Sequence, residues 1–238
     1  MPKSPEKPMI SIIVPTFQEG EYITNTMLNL RKAAKNFPIE IIVVDGGSVD
    51  DTVEKAKNFT NKVYRIGRGI AKARNFGAKH SNGDILLFMD ADVILPNGFA
   101  EKLVETFRNP EVVGATCNIM PLKPNFSEKI FFSFYNGLLR FISRFKPHSR
   151  GEFLAVRKSA FFALNGFNEN LPCIEDHDLA IRLSKIGKFV YIKDLTVFES
   201  MRRFRKLGLP RVIYTWFIDY LFYTIRKKPV SKEWKAVR

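Results

Sequence analysis

Residues 84–93 read DILLFMDADV, five apolar residues that run into Asp90 and Asp92. A buried strand that ends on two carboxylates sets like charges side by side, and a bound cation removes that repulsion. A D-x-D pair alone is weak, because a solvated strand end has the same composition. Its meaning depends on the elements around it.

Those elements alternate. MISIIV (9–14) reads as a buried strand, followed after EGEY by a helix with Ile23, Met27, Leu30 and Ala34 on one face. EIIVVD (40–45) is a second strand, and GGSVDDT turns the chain with Asp50 or Asp51 as helix cap. KVYRI (62–66) leads through Gly67 and Gly69 into the helix AKARNFGAKH, and DILLFMD (84–90) is the fourth strand. Strands and helices in this order predict an α/β fold with a Rossmann-like, mostly parallel sheet covered on both faces. Functional groups of such sheets collect at the carboxyl edge of the strands. PTFQE (15–19), Asp45 and the Asp90–Asp92 pair should therefore converge.

The second half is less regular. VVGATCNIM (112–120) and GEFLAVR (151–157) read as strands, and residues 189–200 as one or two more. KIFFSFYNGLLRFISRF (129–145) predicts an amphipathic helix, with Phe131, Phe134, Tyr135, Leu138, Leu139, Ile142 and Phe145 on one face. Ser133, Asn136, Gly137, Arg140 and Arg144 fall on the other. The chain divides into a loose tail (1–8), a domain over 9–200 with halves at 9–92 and 93–200, and a basic, aromatic helical segment (201–238).

Composition narrows the classes. With 238 residues, 45% hydrophobic and 26% charged, the chain can bury a real core. Its net charge is +14, and residues 200–238 alone carry 11 basic and two acidic residues. Within that end, Val212 to Ile225 is apolar except for Asp219, which falls short of the roughly 20 residues of a spanning helix. Tyr214, Trp216, Tyr220 and Tyr223 seek interfaces, and Arg226, Lys227 and Lys228 suit lipid phosphates. A helix lying on a membrane is the reading, with packing on the domain or a homodimer contact as the alternatives. Aromatic residues between the charges fit lipid better than nucleic acid. Two cysteines, Cys117 and Cys173, make no disulfide framework and point to structural burial in a reducing compartment. MPKSPEKP lacks the apolar stretch of a signal peptide.

Taken in order, IIVPTFQEGEYI, VVDGGSVDDT, GIAKARNFGAKHSNGDILLFMDADV, FLAVRKSAFFALNGFNENLPCIEDHDLAIRL and RRF (202–204) resemble a family 2 glycosyltransferase of the GT-A fold. The resemblance covers Met9 to Tyr223. It implies transfer of a sugar from a nucleotide-diphosphate donor with inversion, a single sugar rather than a polymer because the Q-x-x-R-W form is absent, and a Mn²⁺ or Mg²⁺ cofactor. By resemblance, Asp92 is the more direct metal ligand and Asp90 lies nearer the ribose. Pro15, Thr16, Phe17 and Glu19 form the first nucleotide loop, Asp45 hydrogen-bonds the base, and Arg74 reaches the phosphates. Asp45 would accept from uracil or guanine, so UDP and GDP donors both fit. Asp176, in the pair Glu175–Asp176, is the implied general base if the acceptor is a hydroxyl. Glu175, Arg202 and Arg203 are candidates for acceptor or diphosphate contact. His177 and His148 stand outside the metal site, His177 as a solvated or hydrogen-bonded residue. The acceptor is expected to be lipid-linked, at the cytoplasmic face of the membrane.

Competing classes fit less well. GRGIAK (67–72) resembles a dinucleotide loop but has Lys72 at its third small position. A sugar-1-phosphate nucleotidyltransferase would need a Gly-rich, basic loop where PTFQEGEY stands. A protein that binds sugar nucleotides or lipid without transfer would not need the full set of acids.

Overall fold

The computed structural model describes residues 9–35 and 37–231. In chain order it contains β1 (Ile10–Thr16), α1 (Ile23–Ala33), β2 (Ile39–Asp45), α2 (Thr52–Lys57), β3 (Val63–Arg65), α3 (Ile70–Lys79), β4 (Ile85–Phe88), β5 (Val93–Ile94) and α4 (Phe99–Phe107). There follow β6 (Val112–Pro121), α5 (Phe126–Ile142), β7 (Leu154–Arg157), α6 (Lys158–Ala163), α7 (Glu175–Leu183), β8 (Lys188–Glu199), α8 (Arg202–Leu207) and α9 (Leu209–Arg226). The expected tail (1–8) and the last basic residues (232–238) lie outside the described residues.

One sheet of eight strands, ordered β3-β2-β1-β4-β7-β6-β8-β5, carries the fold. β1 pairs in parallel with β2 and β4, and β2 with β3, as alternating βα units require. The faces of β1 feed different cores. Ile10, Ile12 and Val14 pack with Met27 and Leu30 of α1, whereas Ile13 packs with Ala71 and Ala78 of α3. Gly77 permits the second contact, because a Cβ there would meet Ile13 Cγ2 at 2.5 Å.

The second half departs from the parallel pattern where it matters most. β7 runs antiparallel to both β4 and β6, so its amino end lies at the edge where β1, β2, β4, β6 and β8 end. Residues just before β7 therefore join those just after the other strands. Residues 188–199 form one strand with a register shift opposite Cys117/Asn118.

α5 corrects the expected amphipathicity. The helix starts at Asn125, whose side chain and Glu128 form a reciprocal capping box, and it buries Glu128, Phe132, Asn136 and Leu139. Phe126, Ile130, Phe134, Leu138 and Phe141 are exposed. The polar Asn136 faces inward because β7 pairs with β6 only at Gly114 and Ala115, leaving Ile119 unpaired on that side. The Asn136 amide donates to Ile119 O at 2.9 Å and accepts from Ile119 N at 3.1 Å, as a neighbouring strand would. Asn136→Ala removes both partners from a buried peptide group and is expected to lower stability by about 2–3 kcal/mol, measurable by urea denaturation.

Candidate active site

The carboxyl edge opens into a cleft of about 430 Å³. Pro15 and Thr16 at the end of β1 and Phe17 and Glu19 just after it line the cleft, with Asp90 and Asp92 from the loop after β4 and Arg202 and Arg203 from α8. The fold thus brings together residues as far apart in sequence as Pro15 and Trp216.

Hydrogen bonds hold each loop. Gln18 N donates to Ser48 Oγ at 2.7 Å and Glu19 N to Thr52 Oγ1 at 2.7 Å, tying the first loop to the second. Asp50, one of the two expected helix caps, accepts from Thr52 N at 3.2 Å and from Gly20 N at 3.1 Å; Asp51 occupies the cap position, where its side chain makes no capping bond and pairs with Lys55 at 2.8 Å. The loop carrying Asp90 and Asp92 is fastened by α1, where Thr26 donates to Ala91 O at 2.6 Å and Asn29 exchanges bonds with the Leu95 backbone.

Two expected nucleotide contacts lie beneath the cleft. Asp45 is 0% exposed, and its carboxylate accepts from Thr16 Oγ1, Gly47 N, Ser48 N and Ser48 Oγ. It shapes the turn, and contact with a base would require some of those bonds to open. Arg74 is also 0% exposed. Instead of reaching towards phosphates, its guanidinium donates to Glu175 Oε1 at 2.7 Å, Asp90 Oδ1 at 3.0 Å and Gly151 O at 3.0 Å. Arg68, absent from the sequence-based set, lines the cleft and lies 4.4 Å above the Phe17 ring centroid.

Glu175 and Asp176 open α7 behind Ile174, which adopts φ 66°. A β-branched residue in the left-handed region is strained by about 1–3 kcal/mol, and here the strain aims the first residues of α7 at the Arg74 cluster. Glu175 acts as an ion-pair partner, not as a helix cap. Burial, aided by Glu175, raises the Asp176 carboxyl to about 8. His177 differs from expectation. It is buried, its ring nitrogens have no hydrogen-bond partner among the described residues, and it packs 5.0 Å from the ring centroids of His148 and Tyr220. Burial lowers it to about 4.

Two residues that sequence reasoning missed complete the acidic edge. Glu152, just before β7, and Glu199, ending β8, both line the cleft. Arg150 Nη2 donates to Glu199 at 2.8 Å and Glu152 at 3.1 Å. The carboxyls also hydrogen-bond each other, with burial pushing Glu199 well up while Arg150 holds Glu152 down. Glu152 could be found only from the direction of β7, whereas Glu199 ends a strand and obeys the carboxyl-edge rule.

The acids suit a divalent cation. Asp92 is buried enough for its carboxyl to rise to about 7, and a cation already lies against it: Arg202 Nε is 3.1 Å from Asp92 Oδ2. The same guanidinium pairs with Glu19 at 2.7 and 2.8 Å. Among the described residues no three His, Cys, Asp or Glu side chains form a complete cage. Asp92 and Asp90 present hard oxygen donors of the kind that Mn²⁺ or Mg²⁺ takes.

The raised Asp176 opposes folding at neutral pH. The native state binds its proton more tightly than the unfolded chain, so the cost grows as pH rises from 3.8 to about 8. Asp176→Asn is expected to raise the melting temperature at pH 8, with the gain vanishing towards pH 4 in thermal scans.

Comparison with known proteins gives the family and the fold. The chain is 35% identical over 106 residues to a dolichol-phosphate mannosyltransferase of Pyrococcus furiosus, covering 42% of this chain and 30% of that protein. It is 28% identical over 211 residues to the O-antigen chain rhamnosyltransferase RfbN of Salmonella typhimurium, covering 80% and 66%. The chain thus spans less than two thirds of either relative. A solved mannosyltransferase from Pyrobaculum calidifontis, in complex with GDP-Man and Mn²⁺, superposes with TM-score 0.73 at 21% identity over 92% of this chain and 65% of that one. The fold is thus that of the GT-A glycosyltransferases. The model of glycosyl transferase family 2 matches residues 11–163, and the chain belongs to that family.

Proposed function

We propose that the protein transfers one sugar from a UDP- or GDP-sugar to a lipid-linked acceptor, with inversion, at the cytoplasmic face of a membrane. The observation that carries this reading is the convergence of the first nucleotide loop, Asp90, Asp92, Arg202 and Arg203 on one cleft, with Asp176 one residue from the Glu175 that shares Arg74 with Asp90. Names of relatives support it, since they include a mannosyltransferase and rhamnosyltransferases.

Each group has a task. Pro15, Thr16 and Phe17 offer backbone and ring surface to the nucleoside, beside the Arg68 cation. Asp92 and Asp90 would hold the divalent ion, which offsets charge on the leaving diphosphate. Arg202 and Arg203 supply further positive charge on the same wall. Arg202 can turn to phosphate only by loosening its hold on Glu19 and Asp92, so donor binding exchanges one ion pair for another. Asp176, with its raised carboxyl, accepts the proton of an attacking hydroxyl.

Membrane contact rests on α5 and α9. Phe134 is 70% exposed, Phe145 79% and Ile225 70%, an unusual apolar display for a surface in water. Exposed Lys129, Arg140, Arg144, Arg226, Lys227 and Lys228 surround it, a pattern suited to anionic headgroups. Among the described residues no helix is long and apolar enough to cross a membrane.

Two measurements test the parts separately. UDP or GDP with Mn²⁺ is expected to raise the melting temperature of the wild type and not of Asp92→Ala; no shift with either nucleotide would refute the donor assignment. The protein is expected to co-sediment with anionic liposomes at low salt and to lose most of that binding in Phe134→Asp/Phe141→Asp. Equal sedimentation of both forms would remove α5 from the membrane surface.

A further inference from the structure

Asn75 follows Arg74 on α3, is buried, and does not line the cleft. An amide withdrawn from water must find partners for its oxygen and its hydrogens. Asn75 finds them 92 positions away, in the loop that joins α6 to α7 (164–174). Its Oδ1 accepts from Phe167 N at 2.8 Å, while its Nδ2 donates to Phe167 O and to Glu169 Oε1, both at 2.9 Å. Both backbone groups of one loop residue are thus held by one side chain.

The hold requires a close approach. Gly166 has φ 69°, and a Cβ there would meet Asn75 Oδ1 at 2.5 Å. Phe167 then turns its ring against Phe88 and Phe161, and Arg74 Cζ lies 5.5 Å from its centroid. The far end of the same loop is Ile174 at φ 66°, followed by Glu175 in its ion pair with Arg74. A residue strained in this way keeps its conformation only when the chain is fixed on both sides of it. Adjacent residues of α3 supply both holds, Asn75 before the strain and Arg74 after it.

Resting on the reading of Asp176 as the base, we propose that Asn75 is a positioning residue for it: by clamping Phe167 it keeps Ile174 strained, and so keeps the Asp176 carboxyl in its buried place beside the Arg74 cluster. Arg182 also holds the start of the loop, donating to Leu164 O at 3.0 Å and Gly166 O at 2.8 Å, but it belongs to α7 and moves with that helix. Asn75 refers the loop to α3, where Arg74 is fixed to Asp90. The distance between base and acidic edge is therefore set from one helix.

The test reads the Asp176 carboxyl without a substrate. Arg74, Glu175 and Glu152 are the charged groups that act on it, and burial raises it to about 8, so Asp176→Asn is expected to raise the melting temperature at pH 8 and not at pH 4. In an Asn75→Ala background that pH-dependent gain is expected to fall to about half or less, because a carboxylate released from its place regains water. Asn136→Ala, which weakens the contact between α5 and β6, is expected to leave the gain intact. Should Asn75→Ala not fold, Asn75→Ser is measured in its place, and failure of both to fold would make Asn75 a residue of the fold alone. That outcome, an undiminished gain in the Asn75 variant, or an equal loss in the Asn136→Ala background would overturn the inference while the reading of Asp176 stands. No gain from Asp176→Asn in the wild-type background would overturn the buried, raised Asp176 and this inference with it.

Discussion

One buried guanidinium sets the geometry of the candidate site. Arg74 projects from α3 and is shared by Asp90 after β4, Glu175 at the start of α7 and the carbonyl of Gly151 before β7. Withdrawing Arg74 and Glu175 from water, with Asp90 half-buried beside them, costs several kcal/mol per buried ion, and only mutual pairing offsets it. The three segments must therefore stay where Arg74 can reach them all. Asp92 follows Asp90 by two residues and Asp176 follows Glu175 by one, so the same cation fixes the candidate metal ligand relative to the candidate base.

Around that centre, the carboxyl edge gathers more acid than a protein can bury without compensation. Arg202 and Arg150 answer the excess in different ways. Arg202 bridges Glu19 and Asp92 at the cleft wall, where an arriving cation and diphosphate could take over its partners. Arg150 is enclosed by Glu152, Glu199 and three aromatic rings, and stays with the fold. The C-terminal segment is thus part of the cleft. α8 and α9 deliver Arg202, Arg203, Phe204 and Trp216 to it, and Phe204 and Val212 pack against Phe132 of α5.

The same packing explains the outward face of α5 and α9. The helices spend a few residues on each other, on β6 and on α7, among them Phe132, Asn136, Val212 and Tyr223. The inward demand is partly polar, because Asn136 must satisfy the Ile119 backbone. Aromatic side chains are left for the surface in quantity, next to cations. Apolar periodicity in sequence reports that a helix has two faces, and not which one meets the core.

Much of the fold was legible in the chain. The four strands of the first half have local signals: apolar runs of strand length, helices between them, and acids or turn residues after three of them. Asp90, Asp92 and Glu19 follow because parallel strands must end at one edge, and the Arg202–Arg203 pair follows from the family resemblance alone. Other features are decided by contacts between segments far apart in sequence. Arg74 and Asp45 read as contacts for the nucleotide and are fully buried, because their partners arrive from the loop before β7, from α7 and from the end of β1. Glu152 reaches the cleft, and Arg150 the space beneath it, only because β7 runs antiparallel, a choice of direction that no local pattern encodes. The sequence by itself determined which chemistry the edge could hold; the tertiary structure decided which charges pair beneath it and which remain open to a ligand, because pairing is a property of distance and burial.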